Sequence, residues 1–332
     1  MEHKFWRGGP LQLYSLLTIM SAENVTKLDF AVGLEFDQIL TNPILDIAAR
    51  FWDEDRYHAF RVCYRSMRRI DDLVDNRKKS GYLISDDEAA QYARIFHKWL
   101  GSVRQGNGID SLQEEFIETL DKFALPLWPW ERLCRAMVYD LKHDGYRSFP
   151  VFLRYADGAA VAPAAIFMHL CGVAEHDGGY VKPMYDIRRA ARPLALFSYL
   201  VHIIRDFQKD QQSNLNYFSD DLLQQYSLNV KKLREIAKGG KIESSFRSLM
   251  ERYQSFAEYY RRQARQRIVE IAPLLSPRYQ LSLEVIYSLY SQIFERIDPV
   301  GGSFVDEELN PRPEEVKERL ELTLDRFTPV KN

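Results

Sequence analysis

Cysteine is scarce in this 332-residue sequence, which contains only Cys63, Cys134 and Cys171 and has no Cys-x-x-Cys pair. An odd number of widely separated cysteines does not form the framework of a disulfide-rich secreted domain. Unpaired cysteine is among the residues most often buried in proteins. We therefore expect all three to be core residues of a protein from a reducing compartment.

Long apolar stretches are also missing. No uninterrupted apolar run approaches the ~18 to 20 residues that span a bilayer. Residues 1–10 contain charges but no apolar segment followed by a small-residue cleavage site, as a secretory signal would require. We predict a cytoplasmic protein without a membrane-spanning helix.

Neither sign of charge is in excess. The chain has 45 basic and 47 acidic residues, a formal net charge of −2 and a sequence pI of about 6.4. Both signs are spread along the chain, so no basic surface of the kind that binds a nucleic-acid backbone is indicated. We expect no nucleic-acid partner.

Several catalytic motifs are absent too. The seven histidines show no His-Glu-x-x-His spacing, which disfavours a zinc hydrolase, and no Gly-x-Ser-x-Gly elbow for serine chemistry is present. Asp177-Gly178-Gly179 is interpreted as a turn rather than a phosphate loop, because no Gly-Lys-Ser/Thr follows it. No Rossmann glycine fingerprint appears, so the sequence gives no support for NADPH use.

What is present is helical periodicity. The 46% hydrophobic content can bury a sizeable core, and period-2 alternation is scarce, so we predict an all-α, single-domain helical bundle. Residues 42–298 form its predicted body, 1–41 an N-terminal extension, and 299–332 a C-terminal tail with an amphipathic helix over 313–327. Within the body, helices are predicted at 53–75, 86–100, 111–125, 129–143, 149–173 with a bend at Pro163, 185–211, 243–271 and 277–297.

Two of these helices carry an Asp-x-x-x-Asp pair. Asp71 and Asp75 lie in the first, and Asp206 and Asp210 lie in the second. At about 100° per residue, the members of each pair share one helix face. Further polar residues lie on the same faces or beside the aspartates: Tyr64 and Arg68 in the first helix, and Tyr199, His202 and Arg205 in the second.

Like charges at positions i and i+4 destabilise a helix, and more so when they are shielded from water. A hard divalent cation offsets this repulsion, since Mg²⁺ takes one or two carboxylates and completes its shell with water and phosphate oxygens. A single such pair usually lies on a solvated face. Two pairs favour a metal-bridged diphosphate site, although spacing alone leaves both interpretations open.

Residues 64–75 resemble the first aspartate-rich motif of the squalene/phytoene synthase family, and residues 205–210 resemble the second. Residues 216–223 are similar to the segment that follows the second motif in that family. Residues 152–165, in which Tyr155 precedes a run of small residues, take the place of its tyrosine-plus-small-residue helix. The resemblance extends over about residues 42–298.

The resemblance implies a bundle of the isoprenoid synthase type around a central cavity. Its substrates would be two polyprenyl diphosphates, farnesyl or geranylgeranyl, joined head-to-head with loss of diphosphate through a cyclopropyl intermediate. The product would be squalene- or phytoene-like. The implied roles are Mg²⁺ binding by Asp71, Asp75, Asp206 and Asp210; diphosphate binding by Tyr64, Arg68 and Arg205; catalysis by Tyr155, Tyr64 and Arg68; and cavity lining by Tyr199, His202 and Tyr290.

The sequence departs from the family pattern at several positions. Family members usually carry Gln and Asn where this chain has Tyr199 and His202, and imidazole is a poor Mg²⁺ ligand. Leu215 replaces a basic residue, and Ala159-Ala160-Val161 replaces a valine-alanine-glycine pattern. Chain length and product are therefore open.

Two alternatives to head-to-head condensation remain. One is an enzyme of the same fold that ionises a single prenyl diphosphate and cyclises or hydrolyses it. The other is a non-catalytic relative that binds lipid or a partner protein. Lipid-like substrates also favour peripheral contact with a membrane, and the oligomeric state is open.

Overall fold

A computed structural model describes Phe30 and residues 36–81, 83–143 and 145–331. Most of the predicted N-terminal extension lies outside these residues. The first half of the described chain is helical throughout. It contains a 3₁₀ turn at Phe36–Gln38 and then α1 (Ile44–Ala49), α2 (Glu54–Lys79), α3 (Asp86–Arg104), α4 (Ser111–Lys122) and α5 (Trp128–Lys142).

The second half begins with α6 (Phe149–Ala156), a π-helical segment (Asp157–Val161) and α7 (Ala162–Gly172). A short antiparallel hairpin follows, made of β1 (Ala174–His176) and β2 (Gly179–Val181), with Ala174 opposite Val181. The remaining elements are α8 (Ile187–Arg205), α9 (Phe207–Gln212), α10 (Asp220–Gln225), α11 (Val230–Ala237), α12 (Ser244–Ile271), a 3₁₀ turn (Ala272–Leu274), α13 (Pro277–Phe294), α14 (Asp306–Leu309) and α15 (Pro313–Arg326).

The helices begin where the sequence supplies capping side chains. Asp53 accepts a hydrogen bond from the Arg56 backbone N–H at the start of α2, Ser85 does the same for α3, and Asp186 does so for α8. Each cap satisfies a backbone donor that has no partner within the helix. The prediction of an all-α fold is confirmed.

Three helix boundaries differ from the prediction. α2 continues past residue 75 to Lys79, because its last turn places Arg77, Lys78 and Lys79 at the negative end of the helix dipole. The 149–173 helix is interrupted before Pro163, by the π segment, so that this proline lies in the first turn of α7, where its missing N–H costs little. The predicted 185–211 helix divides at Asp206, which has φ −90° and ψ 10°.

The core surrounds α8, whose Leu196, Phe197, Leu200, Val201 and Ile204 are buried completely. This helix packs against α7 on one side and against α12 and α13 on others. All three cysteines are buried and unpaired, as expected. The centre of the molecule is thus apolar, and α8 leads from this core to the second aspartate motif at its C-terminal end.

The C-terminal tail also packs on the helical body. Phe304, Leu309 and Leu320 are buried, and Arg296 and Glu315 form an ion pair of 2.6 Å between the end of α13 and α15. Gln280 exchanges hydrogen bonds of 2.8 and 3.0 Å with the backbone of Val330. The tail therefore adds buried surface to the bundle.

Among the described residues, one stretch has the length and composition of a membrane span. It is Phe149–Gly172, with a mean hydropathy of 1.3 and 61% of its window buried inside the protein. Core helices of soluble proteins commonly share these properties.

Candidate active site

The first aspartate motif lies on α2 beside a small apolar cavity. This cavity has a volume of about 180 Å³ and reaches Tyr64, Arg68 and Asp71 at its polar end. Its other walls are apolar: Leu45, Phe60, Cys63, Met67, Leu133, Ala159, Pro163, Ile166 and Phe167. A chain bound here would place its polar end against the aspartate motif.

Asp71 is held by a neighbouring guanidinium. Arg68 donates to the Asp71 carboxylate at 2.6 Å. It also pairs with Asp72, which lies one helical turn after Arg68. Burial raises the pKa of Asp71 to about 6, and the negative charge of Asp75 adds to this rise while Arg68 opposes it. Asp75 has a looser contact, 3.8 Å from the Lys79 ammonium.

The second motif lies at the junction of α8 and α9. Both oxygens of Asp206 are engaged: Arg205 donates to them at 2.6 and 3.0 Å, and the His202 ring nitrogen lies 2.6 Å from one of them. Although burial opposes the effect, these partners lower the pKa of Asp206 far below its ordinary value. The sequence predicts that His202 lines the cavity; in the structure its ring contacts Asp206, and 45% of its side chain is exposed.

Asp210 is the carboxyl that links the two motifs electrostatically. Burial raises its pKa to about 7, with further contributions from the negative charges of Asp206 and Asp75. Because Asp75 contributes to the pKa of Asp210, the two motifs lie within electrostatic range of each other.

Among the described residues, no three acidic, histidine or cysteine side chains converge closely enough to hold one metal ion. The donor set nonetheless suits Mg²⁺, which uses one or two carboxylates per ion and takes its remaining ligands from water and phosphate. Burial is the main cause of the raised pKa values of Asp71 and Asp210, and neighbouring carboxylates add to both. The four aspartates therefore fit a magnesium–diphosphate site.

Tyr64 and Tyr290 approach this region from opposite helices. Tyr64 on α2 interacts electrostatically with Arg68 and Asp71, although burial is the main reason that its pKa is raised. The pKa of Tyr290 on α13 is raised by burial and responds to Arg205, Asp206 and Tyr64. Both phenols therefore stay protonated at neutral pH and face the charged groups of the two motifs.

Tyr155 and Tyr199 belong to a second, aromatic part of the site, which we call the tyrosine cluster: Tyr139, Tyr146, Tyr155, Tyr199 and Tyr217. The rings of Tyr146 and Tyr155 are 5.0 Å apart. Tyr199 stacks on Phe152 at 5.8 Å and meets Tyr217 edge-on at 6.2 Å. Neither Tyr155 nor Tyr199 lines the 180 Å³ cavity.

Sequence reasoning missed a buried ion pair beside this cluster. The Lys78 ammonium lies 2.7 Å from Asp140, and only 8% and 6% of the two side chains are exposed. Burial raises the pKa of Tyr155 well above 10, and Asp140 contributes to the rise. Because 62 residues separate Lys78 from Asp140, no local spacing could have revealed the pair.

The structure is that of an all-α protein of the isoprenoid synthase fold, in which Asp71 of the first aspartate motif lies at the polar end of an apolar cavity. A family model for squalene/phytoene synthase matches residues 46–320. The chain belongs to the squalene/phytoene synthase family, a family of prenyltransferases that act on prenyl diphosphates.

Its relatives are distant. A chloroplastic phytoene synthase from Narcissus pseudonarcissus is 24% identical over 246 residues, which are 74% of this chain and 54% of the relative. The chain thus spans about half the length of that curated relative. Among solved structures, squalene synthase HpnC from Alicyclobacillus acidocaldarius aligns with a TM-score of 0.60 at 17% identity, covering 84% of this chain and 95% of that one. A dehydrosqualene synthase in complex with a ligand aligns with a TM-score of 0.61, also at 17% identity, covering 95% and 100%.

Proposed function

We propose that this protein condenses two polyprenyl diphosphates head-to-head, with Mg²⁺ as its cofactor, and releases a squalene- or phytoene-like hydrocarbon. The observation that carries the proposal is an apolar cavity that ends at Tyr64, Arg68 and Asp71 of the first aspartate motif, with the second motif within electrostatic range of the first. The substrates of such a reaction combine a diphosphate with a long apolar chain, and both halves have a matching surface here.

Different residues of the site have different roles in the proposed reaction. When bound, Mg²⁺ neutralises the charge that develops on the departing diphosphate. Arg68 and Arg205 give charge-assisted hydrogen bonds to phosphate oxygens, the strongest class of hydrogen bond that a protein offers a phosphate. Asp71 and Asp206, which these arginines hold in ion pairs, would then lose those pairs and become available as metal ligands, with His202 still in contact with Asp206.

The protonated phenols serve the apolar half of the reaction. Because burial raises the pKa of Tyr155 and Tyr199 well above 10, both remain neutral hydroxyls. A neutral phenol can face an allylic cation with its ring and can hydrogen-bond to a departing diphosphate. We assign Tyr155 to cation guidance, as the family resemblance implies.

A second candidate function is ionisation of one prenyl diphosphate, followed by cyclisation or hydrolysis. It is favoured by the size of the cavity, about 180 Å³, which is below the ~300 Å³ that marks the lower end of drug-sized ligand sites. It is also favoured by Tyr199, whose ring stacks on Phe152 where the family usually carries a smaller glutamine.

The test is diphosphate release from farnesyl and geranylgeranyl diphosphate, with and without Mg²⁺, followed by organic extraction of the product. We expect Asp71→Asn and Asp206→Asn to lower the rate by about 10²-fold or more, as loss of transition-state charge stabilisation does elsewhere. The matched control is Asp121→Asn, because Asp121 lies exposed on α4.

The product separates the candidates. A C30 or C40 hydrocarbon supports condensation, and a smaller cyclised or hydrolysed product supports the one-substrate reaction. No release from either substrate by a folded protein would contradict both.

A further inference from the structure

A second concave surface, which we call the arginine groove, is lined by residues of α5, α6 and the start of α8 and by Asp157 and Gly158 of the π segment. Tyr139 and Tyr155 of the tyrosine cluster also line it. Its volume is about 1050 Å³. Six arginines line it: Arg132 and Arg135 from α5, Arg154 from α6, and Arg188, Arg189 and Arg192 from the first turns of α8. Asp157 and Asp186 are the acidic residues along its wall, so positive charges exceed negative ones by four in a chain whose net charge is −2.

Three of these arginines converge on one buried carboxylate. Asp157 is 4% exposed and receives Arg132 at 2.8 Å, Arg188 at 2.8 and 2.9 Å, and Arg192 at 3.2 Å. One carboxylate neutralises one guanidinium, which leaves two positive charges held together against their mutual repulsion. Asp157 also fixes the orientation of the three side chains, so the charge is preorganised.

The other three arginines have no carboxylate partner among the described residues. Arg135 donates only to the backbone carbonyl of Glu131, at 3.2 Å, and Arg154 and Arg189 are exposed. A groove built only to satisfy Asp157 would need none of them. Their exposed guanidinium groups are available to bind an anion.

We propose that the arginine groove binds the phosphate group of a second, amphiphilic ligand. Guanidinium forks match phosphate oxygens in a bidentate geometry. The groove is far larger than a phosphate, and Ala136, Pro150, Val151 and Leu153 supply apolar wall beside the arginines. A phosphate ester of an apolar chain fits both features, either as a phospholipid headgroup or as a prenyl phosphate in solution.

The groove contains none of the four motif aspartates, although Tyr155 lines its wall. Arg189 and Asp206 lie near opposite ends of α8, about 25 Å apart at 1.5 Å per residue. Binding in the groove requires no carboxylate and no metal ion, so it can be measured in EDTA, and an Arg68→Gln/Arg205→Gln variant reports any anion bound at the aspartate motifs. The inference therefore stands or fails independently of the proposed reaction.

The experiment compares the full chain with two double variants of equal charge. Arg154→Gln/Arg189→Gln removes two arginines from the groove that are not bound to Asp157. Arg94→Gln/Lys98→Gln removes two exposed charges from α3. Binding of inorganic diphosphate is measured by calorimetry in EDTA at low salt, and binding to phosphatidylcholine vesicles with and without phosphatidic acid is measured by flotation.

We expect the groove variant to weaken binding about tenfold or more, as loss of two hydrogen bonds to a charged group implies, and the α3 variant to bind as the wild type does. Diphosphate binding would identify a soluble phosphate ester as the ligand, and binding only to phosphatidic acid would identify a lipid headgroup. No binding of either probe would overturn the proposal. So would equal weakening by the two variants, or a loss caused by Arg68→Gln/Arg205→Gln and not by the groove variant.

Discussion

Burial of the Asp210 carboxyl destabilises the folded protein when that carboxyl is ionised. Desolvation, with the charges of Asp206 and Asp75, raises the pKa of its carboxyl to about 7, whereas in the unfolded chain it titrates near its ordinary value of about 4. Folded Asp210 therefore holds its proton more firmly than unfolded Asp210 does. The stability of the metal-free protein should accordingly fall as the pH rises from about 4 to about 7.

We expect Asp210→Asn to remove this loss, because the amide copies the protonated carboxyl in shape and charge. In EDTA the melting temperature of the variant should exceed that of the wild type by a few degrees at pH 8 and match it near pH 4. Scanning calorimetry across this range measures the difference. Addition of Mg²⁺ at pH 8 should stabilise the wild type and not the variant. A pH-independent difference, or one shared by Asp121→Asn, would contradict the assignment.

Tyr199 is the residue at which the choice between one substrate and two can be tested. Tyr199→Gln restores the side chain that the family usually carries and removes the ring that stacks on Phe152. We expect the extracted product to shift toward the C30 or C40 hydrocarbon, because the freed space adjoins Tyr155 and Tyr217. Phe152→Leu is the companion variant, since it removes the stacking and leaves the phenol. Product ratios that do not change in either variant would show that Tyr199 does not restrict binding of a second substrate molecule.

Much of the candidate site could be predicted at the residue scale, because several of its residues lie close together in the sequence. Asp71, Asp75, Arg68 and Tyr64 occupy one helix, so their spacing alone places them on one face. The His202 contact with Asp206 obeys the same i, i+4 rule and could have been expected. Pairs distant in sequence, such as Lys78 with Asp140, depend on how helices pack, and single-sequence periodicity carries no such information.

At the scale of elements, the π segment packs closely against α5. Its Gly158 faces α5 so closely that an added Cβ would lie 2.5 Å from the Arg132 carbonyl oxygen and 2.7 Å from the Ala136 Cβ. Sequence reasoning attributed the interruption of this helix to Pro163. The break instead occurs where small residues permit close packing, which a proline-based rule does not detect.

We expect Gly158→Ala to destabilise the protein by about 1–3 kcal/mol, as overpacking of a core contact does. Gly101→Ala on α3 is the matched control, because an added Cβ there meets nothing within 4 Å and the change should stabilise its helix by about 0.5–1 kcal/mol. Urea denaturation of both variants measures whether each substitution lowers or raises the free energy of unfolding. A Gly158→Ala protein as stable as the wild type would mean that α5 moves to accommodate the added Cβ without loss of stability.

At the scale of the whole molecule, the described chain folds its C-terminal tail into the body. The tail was predicted from its amphipathic pattern, and the helix that it contains, Pro313–Arg326, matches the predicted 313–327. The sequence could not predict where that helix packs, because an apolar stripe on a helix does not show which surface will cover it. The structure places Leu320 in the core cluster at 0% exposure and leaves Leu322 at 38%.

Leu320→Ala should therefore destabilise the whole protein by about 2–5 kcal/mol, the usual cost of a buried cavity, and Leu322→Ala should change stability little. Both variants remove the same atoms from the same helix, so helix propensity cancels. Thermal unfolding followed by circular dichroism measures the difference. Two separate transitions in the wild type, with only the minor one affected, would show that the tail unfolds independently of the body.

The ion pairs that hold the acidic region in its present arrangement also set how two ligands influence each other. Asp71 and Asp206 are bound by Arg68 and Arg205, so an incoming cation must displace those arginines, and an incoming diphosphate must draw them away from the carboxylates. Each ligand removes the obstacle to the other. Mg²⁺ and diphosphate should consequently show positive heterotropic cooperativity, in which each raises the affinity of the other by the same factor.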